Sequence, residues 1–142
     1  MPEQMLYPAF AMCFFTLSCI LTLGAMRFIA IQKGAIKISY YRAYNQGKEP
    51  TKLHIFGRHV QNHFEVPPLF YAGVIIAYVS GAYSSWTIAF AWAFVASRAL
   101  HTCIHLGSNN VSQRFLAFGL GLIMLTALWT SVLIELLARG AA

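Results

Sequence analysis

The feature that most constrains what this chain can fold into is the length of its uncharged runs. Between Leu6 and Ala30 the only charged side chain is Arg27, and between Phe115 and Ala138 it is Glu135. Each run exceeds the roughly 20 residues that carry an α-helix across a ~30 Å hydrocarbon core, and neither shows the alternation of a barrel strand. Two further apolar segments, Val66 to Gly81 and Ser85 to Ser97, lie between them. A chain that is 58% hydrophobic and 10% charged cannot present an ordinary water-facing surface. The pattern predicts an all-α fold, an integral membrane four-helix bundle forming one transmembrane domain over residues 1–142.

Charge then orients the bundle. Lys33, Lys37, Arg42, Lys48, Lys52 and Arg58 lie in or beside the first loop, opposed there only by Glu49. A short loop this basic belongs on the cytoplasmic side, which puts both termini outside and the 1–2 and 3–4 loops in the cytoplasm. In a bacterium the membrane would be the cell inner membrane. Membrane sidedness accounts for the net charge of +6, so no nucleic acid is needed as a partner. No Lys or Arg precedes Leu6, so the first segment reads as a spanning helix rather than a signal peptide. Gly34, Gly47 and Pro50 break the first loop, where Tyr40, Tyr41 and Tyr44 suit lipid headgroups. Cys13, Cys19 and Cys103 form no framework and read as free, buried thiols.

The second helix is where chemistry enters. Its apolar part is about 15 residues, roughly 22 Å at 1.5 Å per residue, too short to cross the core. The polar residues before it, Arg58-x-x-x-Asn62-x-x-Glu65, must therefore dip toward the membrane, and in one continuous helix they would share a face. Helix 3 repeats the pattern with Arg98, His101 and His105 at i, i+3 and i+7. Charged groups at membrane depth are expensive unless they face a polar interior, so two such stripes at one depth point to a polar chamber open to the cytoplasmic side. Pro67 and Pro68 should bend helix 2 there.

Arg58-x-x-x-Asn62-x-x-Glu65 with a following Pro-Leu-Phe, then Arg98-x-x-His101-Thr102, then Arg114 opening the last helix, resembles MAPEG, the membrane-associated proteins in eicosanoid and glutathione metabolism. That family includes microsomal glutathione transferases and prostaglandin E synthase. The resemblance implies a homotrimer that binds glutathione between subunits on the cytoplasmic side. It implies that Arg58, Asn62, Glu65, Arg98 and His101 hold glutathione, that Arg27 reaches it from the adjacent subunit, and that Arg114 activates the thiol. It also implies a transferase or peroxidase activity on a lipophilic small molecule arriving from the bilayer.

The residue chemistry agrees. Glutathione, or another low-molecular-weight thiol used as cosubstrate, carries carboxylates for forked Arg contacts and an ammonium for Glu65, while Asn62 can bridge its peptide. Arg114 would favour the thiolate, the reactive species. His105 stands where many members have a tyrosine and could hydrogen-bond the thiol; Gln61 and Phe115 stand where prostaglandin E synthase has an arginine and a serine.

Other readings stand beside this one. The polar cluster could be an ion-pair network knitting helices 2 and 3 together in a non-catalytic lipid-binding or partner-binding protein. His59/His63 and His101/His105 are both H-x-x-x-H pairs with spacing suited to one ion between two helices. Against a metal stand the absence of acidic partners in the sequence nearby and the repulsion of a cation by the arginines, so the sequence reading assigns none.

Overall fold

The computed structural model describes residues 2–44 and 48–140. Gly47, expected as a loop breaker, lies outside the described residues. Among those residues every regular element is helical. After a 3₁₀ turn, Pro2–Met5, come α1 (Tyr7–Gln32), α2 (Tyr40–Ala43), α3 (Thr51–Asn62), α4 (Pro67–Ser80), α5 (Ser85–Leu106) and α6 (Val111–Gly140).

Three of these helices, α1 with its leading turn, α5 and α6, are long and apolar enough to cross a membrane. Only 17% of the α1 window is buried inside the chain, so this apolar helix turns most of its surface outward. Phe14, Leu21, Trp86, Phe115 and Ile123 are among the large side chains left on the outside. That distribution matches a hydrocarbon solvent rather than water.

The second expected helix is corrected. It is not continuous from Arg58 to Gly81 but divides into α3 and α4, with Glu65 in the intervening turn. Pro67 takes the first position of α4, where its missing N–H costs nothing, and it cannot extend a helix arriving from α3. At 14 residues, α4 is roughly 21 Å long and does not reach across a ~30 Å core by itself.

At the Gly81 end, Gly81 closes α4 in a left-handed conformation, φ 66°. Ser84 then starts α5 with a capping box, its backbone N–H donating to Thr87 Oγ1 at 3.0 Å. Arg139 Nη1 donates to the Ser80 carbonyl at 3.3 Å, which brings the end of α6 to the end of α4. The core divides along the helices. Met5, Met12, Phe70, Val74, Phe94 and Leu128 fill the Gly81 half, with the Phe70 and Phe94 rings stacked at 4.6 Å. Cys19, Leu23, Leu53 and Val60 fill a smaller core between α1 and α3 at the other end.

Candidate functional site

The break between α3 and α4 opens a cavity of about 590 Å³ at the basic end of the chain. Arg58 and Asn62 reach it from α3, Glu65 from the turn, His101 and His105 from α5, and Arg114 from α6. Six of the eight expected site residues thus share one hollow, although they come from separate elements. Val111, Phe115 and Phe118 of α6 supply an apolar wall, and Phe115 continues it onto the exposed flank of that helix.

Arg114 is positioned locally. Its Nη1 donates to Asn109 Oδ1 at 2.9 Å. Asn110 accepts a 3.1 Å hydrogen bond from the Gln113 N–H, so this residue caps α6 at its start. Sequence reasoning missed Asn109, whose φ of 49° marks a left-handed turn that asparagine tolerates better than most residues.

Two expected residues lie elsewhere. Arg98 is 3% exposed, packed over the Phe94 and Phe118 rings at 5.5 and 4.9 Å. Its Nε and Nη2 find no hydrogen-bond partner among the described residues, and it does not line the cavity. A charge buried this way is costly, which separates it from the solvent-accessible arginines. Arg27 lines a second hollow of about 630 Å³ on the other side of α3, beside Glu49, Gly57 and Gln61. Its Nε stands 3.9 Å from Glu49 Oε1, and its guanidinium lies 5.1 Å from the centre of the Tyr41 ring. Arg58 alone lines both hollows among their charged residues.

Behind the first cavity sits a buried histidine cluster that joins His59 and His63, to which the sequence reading gave no role, to His101 and His105. His59, His63, His101 and His105 are all buried. His59 meets the other three, with ring centres 4.9 Å from His63, 6.1 Å from His101 and 5.4 Å from His105. The signal was the doubled H-x-x-x-H spacing on two helices that meet at one depth. Of the cysteines, Cys19 is buried beside this cluster, whereas Cys13 and Cys103 are exposed, correcting their expected burial; all three are free.

The model of the MAPEG family matches residues 5–134, nearly the whole chain. The chain belongs to the MAPEG family. It is therefore an integral membrane protein of the glutathione and eicosanoid metabolism kind. Comparison with curated proteins and with solved structures finds no match. For this MAPEG protein, what it binds and transforms has to be argued from its own site.

Proposed function

We propose that this MAPEG protein binds glutathione in the cavity between α3, α5 and α6 and transfers its thiol to a lipophilic electrophile, or spends it on a lipophilic peroxide. The observation that carries the reading is the convergence of Arg58, Asn62, Glu65, His101, His105 and Arg114 on one hollow. The set offers cations for two carboxylates, a carboxylate for an ammonium, an amide for a peptide, and a cation for a thiolate. An ion-pair network needs fewer groups, and it would not leave them facing open space.

In this account Arg58 holds a glutathione carboxylate by forked hydrogen bonds, Glu65 takes the ammonium, and Asn62 spans the peptide. Arg114, steadied by Asn109, lowers the thiol pKa from ~8.5 toward neutrality by favouring the anion. His105 donates or accepts a hydrogen bond at the sulfur. The thiolate attacks the electrophilic carbon, a carbon–sulfur bond forms, and the leaving group departs with the bonding pair. The Val111, Phe115 and Phe118 wall suits a substrate arriving from the bilayer.

The functional unit is a homotrimer of four-helix protomers, with α3 and α4 together serving as one rod and the basic loops in the cytoplasm. Arg27 supports this assembly, because it lines a hollow separated from its own cavity by α3 and would serve a neighbouring subunit. Arg98 packs beneath the site, over Phe94 and Phe118, and touches no ligand in this account. The test is turnover of an electrophilic halonitroarene by the purified protein with glutathione, beside Arg114→Ala. Catalysis lost in the variant with the fold retained supports the account. Glutathione binding with no turnover in either protein would leave the non-catalytic lipid-binding or partner-binding reading in its place.

A further inference from the structure

His59 and His63, the inner half of the buried histidine cluster, do not line the cavity and are not used by this chemistry, and with Cys19 they have the dimensions of a metal coordination shell. We propose that Cys19, His59 and His63 bind one Cu(I) ion, with His101 and His105 forming the path by which it enters from the cavity.

The distances carry the argument. His59 Nε2 lies 3.3 Å from His63 Nε2 and 3.9 Å from Cys19 Sγ. Two nitrogens held about 2.0 Å from one ion at angles of about 110–120° are roughly 3.3–3.5 Å apart, and a nitrogen and a sulfur at about 2.0 and 2.3 Å are roughly 3.5–3.7 Å apart, slightly inside the observed 3.9 Å. The three donor atoms lie within 4.8 Å of one another, on residues brought by α1, α3 and the turn after it.

Proton counting points the same way. Thr102 Oγ1, 3.2 Å from His59 Nε2, already donates its proton to the Arg98 carbonyl at 2.8 Å. Thr16 Oγ1 lies 2.9 Å from His63 Nδ1; with that ring N–H donated to Thr16, the Nε2 lone pair of His63 faces His59. This is the outer-shell bond that orients ligating imidazoles. With the Cys19 thiol ionised as well, lone pairs from sulfur, oxygen and nitrogen converge on a single ring nitrogen, and one N–H cannot serve all of them. An electron-pair acceptor can. His59 is 1% exposed and its Nδ1 has no partner among the described residues, so water does not supply the deficit in bonding at this ring.

Charge selects the ion. Thiolate and imidazole are donors that suit Cu(I) and Zn(II) alike. When Cys19 gives up its proton to solvent and binds Cu(I), the site stays neutral. Zn(II) would leave a net positive charge beside buried Arg98, one helical turn before Thr102 on α5. The sequence argument against a metal rested on missing acidic partners and on repulsion by the arginines; the structure supplies a thiol from α1, whose thiolate offsets the single charge of Cu(I). Entry is provided because His101 and His105 line the cavity and form a second donor set with His59, also within 4.8 Å.

The experiment is anaerobic competition of the detergent-purified full chain against a chromophoric Cu(I) chelator, with no glutathione present, so the outcome is independent of the thiol-transfer reading. About one equivalent of Cu(I) per chain should be retained, with one sulfur and two nitrogen scatterers in its X-ray absorption spectrum. Cys19→Ser and His63→Gln should weaken binding by more than about 100-fold. Thr16→Val should weaken it by about 10-fold, the scale of an outer-shell change. Cys13→Ser and Cys103→Ser should leave it intact. Copper bound without sulfur, copper retained equally by Cys19→Ser, Zn(II) bound in preference, or no metal retained by the folded chain would each overturn the proposal.

Discussion

Arg114 Nη1 is tied to Asn109 Oδ1 across the turn that opens α6, at 2.9 Å, with Asn109 in a left-handed conformation. The turn thereby fixes the direction of the cation that the proposed chemistry needs most. Asn109→Gly keeps the backbone conformation accessible and removes the acceptor. It should lower kcat with an electrophile about tenfold, roughly 1.4 kcal/mol, while glutathione binding changes little. Arg114→Ala should cost about 100-fold or more, on the scale of losing a preorganised charge at the reacting atom. Steady-state kinetics of both variants check this; unchanged turnover in Arg114→Ala would remove the assigned role.

Arg98 gives the opposite expectation from Arg58. Its guanidinium is buried over two phenylalanines and stands outside the cavity. Replacing a buried charge by an apolar chain of similar length is often neutral or stabilising. Arg98→Met should therefore keep or raise the thermal midpoint and retain glutathione affinity within a few-fold. A loss as severe as that of Arg58→Ala would show that Arg98 contacts the ligand.

Gly119 and Gly121 lie two residues apart on α6 and stand in different surroundings. A Cβ on Gly121 would meet Arg98 Nη2 at 2.8 Å and Ser97 Oγ at 2.9 Å, whereas one on Gly119 meets nothing within 4 Å. Overpacking of this kind costs about 1–3 kcal/mol. Gly121→Ala should lower the thermal midpoint and Gly119→Ala should leave the protomer unchanged, by thermal unfolding in detergent.

The first loop carries a pH dependence. Tyr41 donates to Glu49 Oε1 at 3.2 Å, and burial, followed by the Glu49 carboxylate, raises its phenol above the usual value of 10.0. A group whose folded pKa is raised stabilises fully below the unfolded pKa and loses that contribution as pH climbs through the folded value. Stability should therefore fall above about pH 10, and Tyr41→Phe should flatten that limb in thermal midpoints measured across it. An identical fall in Tyr41→Phe would assign it to another group.

Much of this was readable from residues alone, for reasons that can be named. Uncharged run length gives the spanning helices, because no other element satisfies its backbone in hydrocarbon. The short apolar part of helix 2 gives the depth of Arg58, Asn62 and Glu65. The shared face, however, assumed one continuous helix, and Pro67 breaks it; the three residues still meet because the turn carries Glu65 to the same cavity. Helical spacing placed Arg98 beside His101 and His105, but Arg98 packs under Gly121 on α6, a choice made by tertiary packing. Cys19 and the histidines meet across 40 residues of sequence, a separation that no local pattern reports.

The central claim is that the α3, α5 and α6 cavity holds glutathione, and ligand-induced stabilisation tests it most directly. Thermal unfolding of the purified protein should be titrated with glutathione and its S-alkyl analogues, beside Arg58→Ala and Glu65→Ala. A saturable stabilisation of about 2–3 kcal/mol at a hundredfold excess over Kd, absent in both variants, is the predicted result. No shift at millimolar thiol, with the two variants merely less stable than the parent, would contradict the account and make the polar cluster a structural network.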